Sequence, residues 1–140
     1  MTPKRALERG LAHLDGFDEP RVELEQYPTP ADLAANLLHL ADLQGDLEGH
    51  NVVDLGAGTG ILAIGAALAG AGRVVGVERD RDALAVARRN ASRVEPAAYV
   101  DWLRGDATRA PLCPDGPVTV VMNPPFGAQR GSRHADRTFL

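Results

Sequence analysis

The chain has 140 residues, 44% of them apolar, and a net charge of −4. That length predicts one domain, and the acidic balance argues against a broadly basic nucleic-acid surface while leaving a local patch open. A lone cysteine, Cys113, excludes an internal disulfide and a cysteine-rich zinc site. No apolar run approaches the roughly 20 residues that span a bilayer. Met1 to Gly10 lack the apolar stretch of a signal peptide, so a cytoplasmic protein is the expectation. Every basic residue except Lys4 is an arginine. Arginine suits bidentate phosphate contact, but genomic base composition accounts for it as readily.

Residues 2–14 read as a short helix. Thr2 is placed to cap it, Pro3 suits its first position, and Leu7, Leu11 and Leu14 form a narrow apolar stripe. Asp15 and Gly16 end it. A second helix runs from about Pro30 to Leu43, with Thr29 as N-cap and Asp32 three positions on, as in a capping box. Its expected stripe is Leu33, Ala34, Leu37, Leu38 and Ala41. Gly45 to Asn51 is a polar connection. A buried strand at Val52–Leu55, a glycine turn and a helix at Ile61–Ala69 follow. A second strand is expected at Val74–Val77, and a helix after it through Arg93 with Leu84, Ala87 and Ala91 inward. The run Arg79, Arg81, Arg88, Arg89 and Arg93 reads as a solvated helix face. A third strand is expected at Tyr99–Leu103, a proline-rich loop at Ala110–Pro117, and a fourth strand at Val118–Met122.

The glycine turn is the informative stretch. Asp54 is followed by Gly56, Gly58 and Gly60 at alternate positions, and an acid, Glu78, stands 24 residues after Asp54 at the end of the next strand. Glycine serves where the backbone needs positive φ or where a ligand must approach the main chain. Dinucleotide-binding loops space their glycines as G-x-G-x-x-G. Here the third glycine comes one position early. The spacing and the leading Asp54 resemble instead motif I of class I S-adenosylmethionine (SAM) methyltransferases. A structural turn in another α/β fold remains the plain alternative at this motif alone. In the methyltransferase family the turn passes under the methionine part of the cofactor, and the acid, here Glu78, accepts hydrogen bonds from the ribose hydroxyls. By the same resemblance Asp106, just past the third strand, meets the adenine amino group; otherwise it is a turn aspartate.

Asn123-Pro124-Pro125-Phe126, directly after the fourth strand, resembles motif IV of amino-group methyltransferases. Such a target is a planar amino nitrogen whose lone pair is delocalised. The Asn123 side-chain oxygen and the Pro124 carbonyl are suited to accept its two hydrogens and aim the lone pair. Proline fixes the backbone and offers a carbonyl without a competing N–H. Phe126 is suited to stack on the target ring, an interaction worth about 1–3 kcal/mol. Catalysis of this kind is mostly orientation and electrostatics.

Glu25-Gln26-Tyr27-Pro28-Thr29, the stretch 54–65, Gly70-Ala71-Gly72 and Asn123 to Gly127 together resemble the methyltransferase-like protein 5 family, as do Asp136, Phe139 and Leu140. Its members are similar to rRNA adenine N6-methyltransferases. The resemblance implies an α/β, Rossmann-like sheet in two parts: an N-terminal helical extension at 1–46 closing over the cofactor, and a SAM-binding core at 47–140. The core is expected to be incomplete, since the family sheet has about three strands beyond the four read here. It further implies that Gln26, Thr29, Gly56, Thr59, Ile61, Glu78, Asp106 and Ala107 line the cofactor site with Asp54, Gly58, Gly60 and Asn123. The family usually has Asp where this chain has Glu78. Gln26 and Thr29 remain equally readable as capping residues. The implied activity is SAM-dependent N6-methylation of adenine in small-subunit rRNA, with Arg130, Arg133, His134 and Arg137 as candidate phosphate contacts or simply a polar loop. The resemblance also implies a small zinc-binding activator beside the third strand, at Trp102 and Leu103. Alternatives are N5-methylation of a glutamine in a translation release factor, and a SAM-binding fragment without turnover.

Overall fold

The computed structural model describes residues 2–20, 26, 28–94 and 98–124. Four strands form one parallel sheet: β1 (Asn51–Leu55), β2 (Arg73–Glu78), β3 (Asp101–Arg104) and β4 (Thr119–Val121), in the order β3-β2-β1-β4. Parallel neighbours need crossover connections. Helix α3 (Ile61–Leu68) joins β1 to β2, and α4 (Arg81–Arg93) joins β2 to β3. The β3-to-β4 connection carries a 3₁₀ turn at Ala107–Arg109. The apolar runs that mark these strands are what sheets covered on both faces require. Val52, Val53, Val74, Val77 and Val121 are all buried.

The order of strands decides where a ligand can sit. After β1 the chain adds β2 and β3 on one side, then returns to place β4 on the other. The carboxyl ends of β1 and β4 therefore flank the point where the winding reverses, the position at which open α/β sheets bind ligands. Asp54 is in register with Val121. The first glycine of the turn and Asn123 thus lie at the same level, each two residues further on.

Helix α1 (Lys4–Leu11) and helix α2 (Ala31–Leu43) pack on α3. The contact depends on Gly65 in α3, where a methyl group would overlap Leu38 and press on Leu11. With Gly65, Leu7, Leu11 and Leu38 are sealed at no more than 1% exposure. Truncating a leucine in such a place costs about 2–5 kcal/mol.

Both caps expected on these helices are absent. Pro3 and Pro30 occupy the N-cap positions, with no side-chain cap bond at either. Thr2 instead donates its N–H to Asp42 Oδ2 at 3.2 Å, which brings Asp42 into the interior. Helix α1 ends at Leu11, three residues early. Helix α2 buries Ala34 and Leu38 of the expected stripe together with Ala35 and Asp42, while Leu33 and Leu37 are exposed. Its apolar residues surround the axis, so periodicity could not select a face; the space that Gly65 leaves for Leu38 did. The remaining elements match expectation to within one or two residues. Strand β3 begins at Asp101, where pairing with Val75 begins, leaving Tyr99 exposed.

Candidate functional site

The glycine turn is built as its sequence requires. Gly56, Gly58 and Gly60 have φ of 78°, 58° and 92°, values that strain any residue with a Cβ. The N–H groups of Gly56 and Ala57 donate to Val77 O at 2.9 and 2.8 Å, which ties the turn to the end of β2. A Cβ on Gly60 would stand 2.7 Å from the Trp102 ring, so the indole from β3 covers the turn's last residue. Ile61 opens α3. Gly60 at its N-cap offers no side chain, and Asp54 caps it from below: Oδ2 accepts from Ala63 N at 3.1 Å. Burial pushes the Asp54 carboxyl up to about 7; the Ala63 N–H pulls it down, and the charge of Glu78 adds to the rise. Asp54 is 2% exposed. Its carboxylate holds the turn from beneath and is directed at α3.

Glu78 stands where the ribose acid is expected. Its Oε1 accepts from Gly58 N at 2.9 Å and its Oε2 from Asp80 N at 2.8 Å. The acid is therefore positioned by the very turn it must serve with. A carboxylate has about four lone-pair sites. Two of them are occupied by these bonds, which leaves each oxygen able to accept from a vicinal hydroxyl. The extra methylene relative to Asp is used to reach back to Gly58. This pair of acceptors fits the vicinal hydroxyls of the ribose of SAM.

Residues 15–20, 26 and 28–29 border this edge, and we call them the strap; they are tied at four places. Asp15 exchanges two hydrogen bonds with the Asn90 side chain, both 2.9 Å. Arg93 and Arg89 reach Asp15 Oδ2 at 2.7 and 3.2 Å, and Arg89 also reaches Asp18. Gln26, 7% exposed, donates to Asp80 Oδ2. Asn123 Nδ2 donates to Thr29 Oγ1 at 2.9 Å. Phe17 lies on the glycine turn, its ring edge 3.2 Å from where a Cβ of Gly58 would be. Between the strap and the first turn of α4 opens a cavity of about 300 Å³. Its walls include Phe17 and Gln26 together with Asp18, Glu19, Asp80 and Asp82. The cavity lies beside the glycine turn rather than on it, with Asp80 linking it to Glu78. Such an acidic wall suits a ligand rich in hydroxyl or cationic donors.

Asp106 is exposed and caps the 3₁₀ turn. The Thr108 hydroxyl and N–H donate to its Oδ1 at 2.7 and 2.9 Å and hold the carboxyl below the usual carboxylate range. This capping leaves Oδ2 without a bond to the turn, and Ala107 is the first residue of that turn. Thr59 is buried, and its carbonyl accepts from Asn90 Nδ2 at 3.0 Å. Pro124 is half-buried beside Asn123. Pro125, Phe126, Arg130, Arg133, His134 and Arg137 lie outside the described residues, as do Asp136, Phe139 and Leu140.

Sequence reasoning missed Asn90, Phe17 and the use of Arg89 and Arg93 as strap anchors. Asn90 did leave a trace. It shares the buried face of α4 with Ala83, Val86 and Ala87, and a polar residue on an apolar face signals a partner. Nothing near Phe17 marks it out.

Comparison with known proteins identifies this arrangement. The family model for ribosomal protein L11 methyltransferase (PrmA) matches residues 34–110. It covers the cofactor-binding half and stops before Asn123, so it does not address the acceptor. The rRNA N(6)-adenosine-methyltransferase Mettl5 of Drosophila melanogaster is 41% identical over 131 residues, which is 91% of this chain and 61% of that protein. A proposed RNA methyltransferase from Pyrococcus horikoshii superposes with a TM-score of 0.85 at 46% identity, over 99% of this chain and 67% of that one. An RNA methyltransferase from Salinibacter ruber, solved with S-adenosyl-L-homocysteine, superposes over 60% of this chain and 53% of its own, at 35% identity and a TM-score of 0.52. The chain thus spans about two thirds, or somewhat less, of the length of these relatives. With its glycine turn, the acid at the end of β2 and a match that runs the length of the chain, it belongs to the class I SAM-dependent methyltransferases, and among them to the methyltransferase-like protein 5 family.

Proposed function

We propose that this chain carries SAM-dependent N6-methylation of an adenine in RNA, with small-subunit rRNA as the substrate. One observation carries the reading. Asn123 leaves the end of β4 level with the glycine turn of β1, and its amide nitrogen is held by the strap at Thr29. An amide oxygen is thereby offered at the mouth of the cofactor site. Relatives that match this chain over most of its length are named as rRNA N(6)-adenosine-methyltransferases, and this supports RNA over protein as acceptor.

When bound, SAM supplies an electrophilic methyl group on its sulfonium sulfur. The glycine turn from Gly56 to Gly60, with Thr59 and Ile61, holds its methionine end. Glu78 takes the ribose hydroxyls, and Gln26, Asp106 and Ala107 border the adenosine. Asn123 Oδ1 and the Pro124 carbonyl accept the two hydrogens of the target amino group, which turns its lone pair toward the methyl. Phe126 stacks on the base. The extra proton leaves readily once the nitrogen is alkylated, so no general base is needed. A flipped or single-stranded adenine is the form that such a pocket admits. Arg130, Arg133 and Arg137 hold its phosphates.

A small zinc-binding activator belongs to the same proposal. Strand β3 is one of the two edge strands of the sheet among the described residues, and an added strand would pair there. Leu103 flanks that edge, whereas the Trp102 ring is occupied over Gly60 and Gly76. No helix among the described residues is long and apolar enough to cross a membrane, which is compatible with a cytoplasmic site of action.

The test is transfer of labelled methyl from SAM, with total RNA and total protein as separate acceptors and the activator present. The expected product is N6-methyladenosine in RNA, lost in Asn123→Ala. Label in protein would move the acceptor to glutamine. Binding of SAM without label in either would leave a cofactor-binding module.

A further inference from the structure

Resting on the reading of Asn123 as acceptor for the target amino group, we propose that Thr29 is a positioning residue that fixes which end of the Asn123 amide faces the substrate. A carboxamide carries a donor at one end and an acceptor at the other, and a half-turn about its last torsion exchanges them. Only the oxygen is useful toward an amino group; a flipped amide would set N–H against N–H. In this structure Asn123 Nδ2 donates to Thr29 Oγ1 at 2.9 Å, so Oδ1 points away from Thr29; a hydroxyl can also donate, to Oδ1 of a flipped amide, and the NH₂ resonance distinguishes the two arrangements in solution.

Three local features make Thr29 fit for this. Its hydroxyl is not used as a helix cap: α2 starts after Pro30 with no side-chain cap bond. The prolines on either side, Pro28 and Pro30, stiffen its backbone, and Pro30 sits at φ −59°. Branching at Cβ restricts χ1, so the hydroxyl has few other directions. Upstream, the Gln26–Asp80 bond pins the same segment to the loop after β2. The strap therefore does more than cover the cofactor. It sets the polarity of a side chain 94 residues away. This role differs from that of a cofactor ligand, the part that family resemblance gives Thr29.

The two roles separate by experiment. In ¹⁵N-labelled full chain, the Asn123 side-chain NH₂ pair is identified by its disappearance in Asn123→Ala. Thr29→Val is expected to remove the downfield shift of its bonded proton, and Thr29→Ser to keep it; an unchanged pair in Thr29→Val overturns the proposal. In the methyl-transfer assay, Thr29→Val is expected to lower kcat about 3- to 10-fold, the weight of one net hydrogen bond, with the Kd for SAM within about twofold of wild type. Thr29→Ser should restore kcat. A Thr29→Val chain with weakened SAM binding and intact kcat would show a cofactor ligand and no positioning role. If wild type transfers no methyl to RNA, the proposed function fails, while the NH₂ resonance still decides how Thr29 holds Asn123.

Discussion

Replacing Asn90 by alanine should cost more than any surface change on α4, because one side chain joins three parts of the molecule. Its Oδ1 accepts from Asp15 N at 2.9 Å, and its Nδ2 donates to Asp15 O at 2.9 Å and to Thr59 O at 3.0 Å. Alanine removes all of these at a site with no exposed surface. Each hydrogen bond contributes about 0.5–1.5 kcal/mol net, so the sum lies between about 1.5 and 4.5 kcal/mol. Asp15 regains water if the strap lifts, but the Thr59 carbonyl lies in the buried turn and loses its partner outright. We therefore expect about 3 kcal/mol, or a fall in Tm on the order of 10 °C for a domain of this size. Urea unfolding followed by Trp102 emission measures it, since this is the sole tryptophan and it packs on Gly60. Arg88→Ala, on the exposed face of the same helix, serves as control and should stay within about 0.5 kcal/mol. Asn90→Asp should be no milder than alanine, because it sets a carboxylate against two carbonyl oxygens. A loss below about 1 kcal/mol in Asn90→Ala, with SAM affinity unchanged, would refute the clamp.

Asp54 predicts a pH dependence. Its folded carboxyl titrates at about 7 against 3.8 unfolded, so the folded chain keeps a proton that the unfolded chain has released. Its contribution to stability is complete below 3.8 and is lost as pH rises toward 7. Asp54→Asn, which does not ionise and can still accept from Ala63 N, should therefore gain on wild type by up to about 1.4 kcal/mol per pH unit across that window; a difference flat with pH in urea melts would contradict it. Gly76→Ala would place a methyl within 2.6 Å of the Trp102 ring, which is its cross-strand neighbour on β3. It should cost about 1–3 kcal/mol and shift Trp102 emission, whereas unaltered emission and stability would mean that the ring does not rest on that glycine. Arg93→Ala breaks a bond to Asp15 at 2.7 Å, yet the arginine side chain is 53% exposed. The loss should stay under about 1 kcal/mol and shrink with added salt, and a larger, salt-independent loss in thermal melts would show a buried role.

The sheet was legible because its signals are local and redundant. Each strand is a short apolar run ended by a turn residue, and each turn needs backbone that glycine supplies. The order β3-β2-β1-β4 has no single-residue signature, but two crossover helices and a reversal before β4 leave few other arrangements. The helix caps were misread for a physical reason. Thr2 and Thr29 stand where caps belong, and both are engaged elsewhere, on Asp42 and Leu68 in one case and on Asn123 in the other. A hydroxyl one residue from a helix has two competing uses, and sequence contains only the nearer partner. The face of α2 was lost in the same way, since the glycine that selects it lies in α3.

The candidate site divides along the same line. Residues whose surroundings are set by their own turn stand where the sequence places them: Gly56, Gly58, Gly60, Glu78 and Asn123 lie at the carboxyl ends of β1, β2 and β4. Contacts set by a distant partner were not legible. Asp54 opens the glycine motif, but its burial in β1 and its bond to Ala63 N are not marked by the alternation of a two-sided buried strand. Arg89 and Arg93 were read as a solvated face. They are half exposed, but they reach Asp15 and Asp18 more than 70 residues away. The strap draws these separate facts together. Asp15, Gln26 and Thr29 meet Asn90, Asp80 and Asn123, one partner each on α4, the loop after β2 and the end of β4. The ties are separate bonds, so they should fail separately. On the reading proposed above, Gln26→Ala, which removes the bond to Asp80 next to Glu78, should weaken SAM binding, whereas Thr29→Val should misorient the Asn123 amide and leave SAM affinity near wild type; equal loss of SAM affinity in both variants would show that the strap acts as one rigid unit.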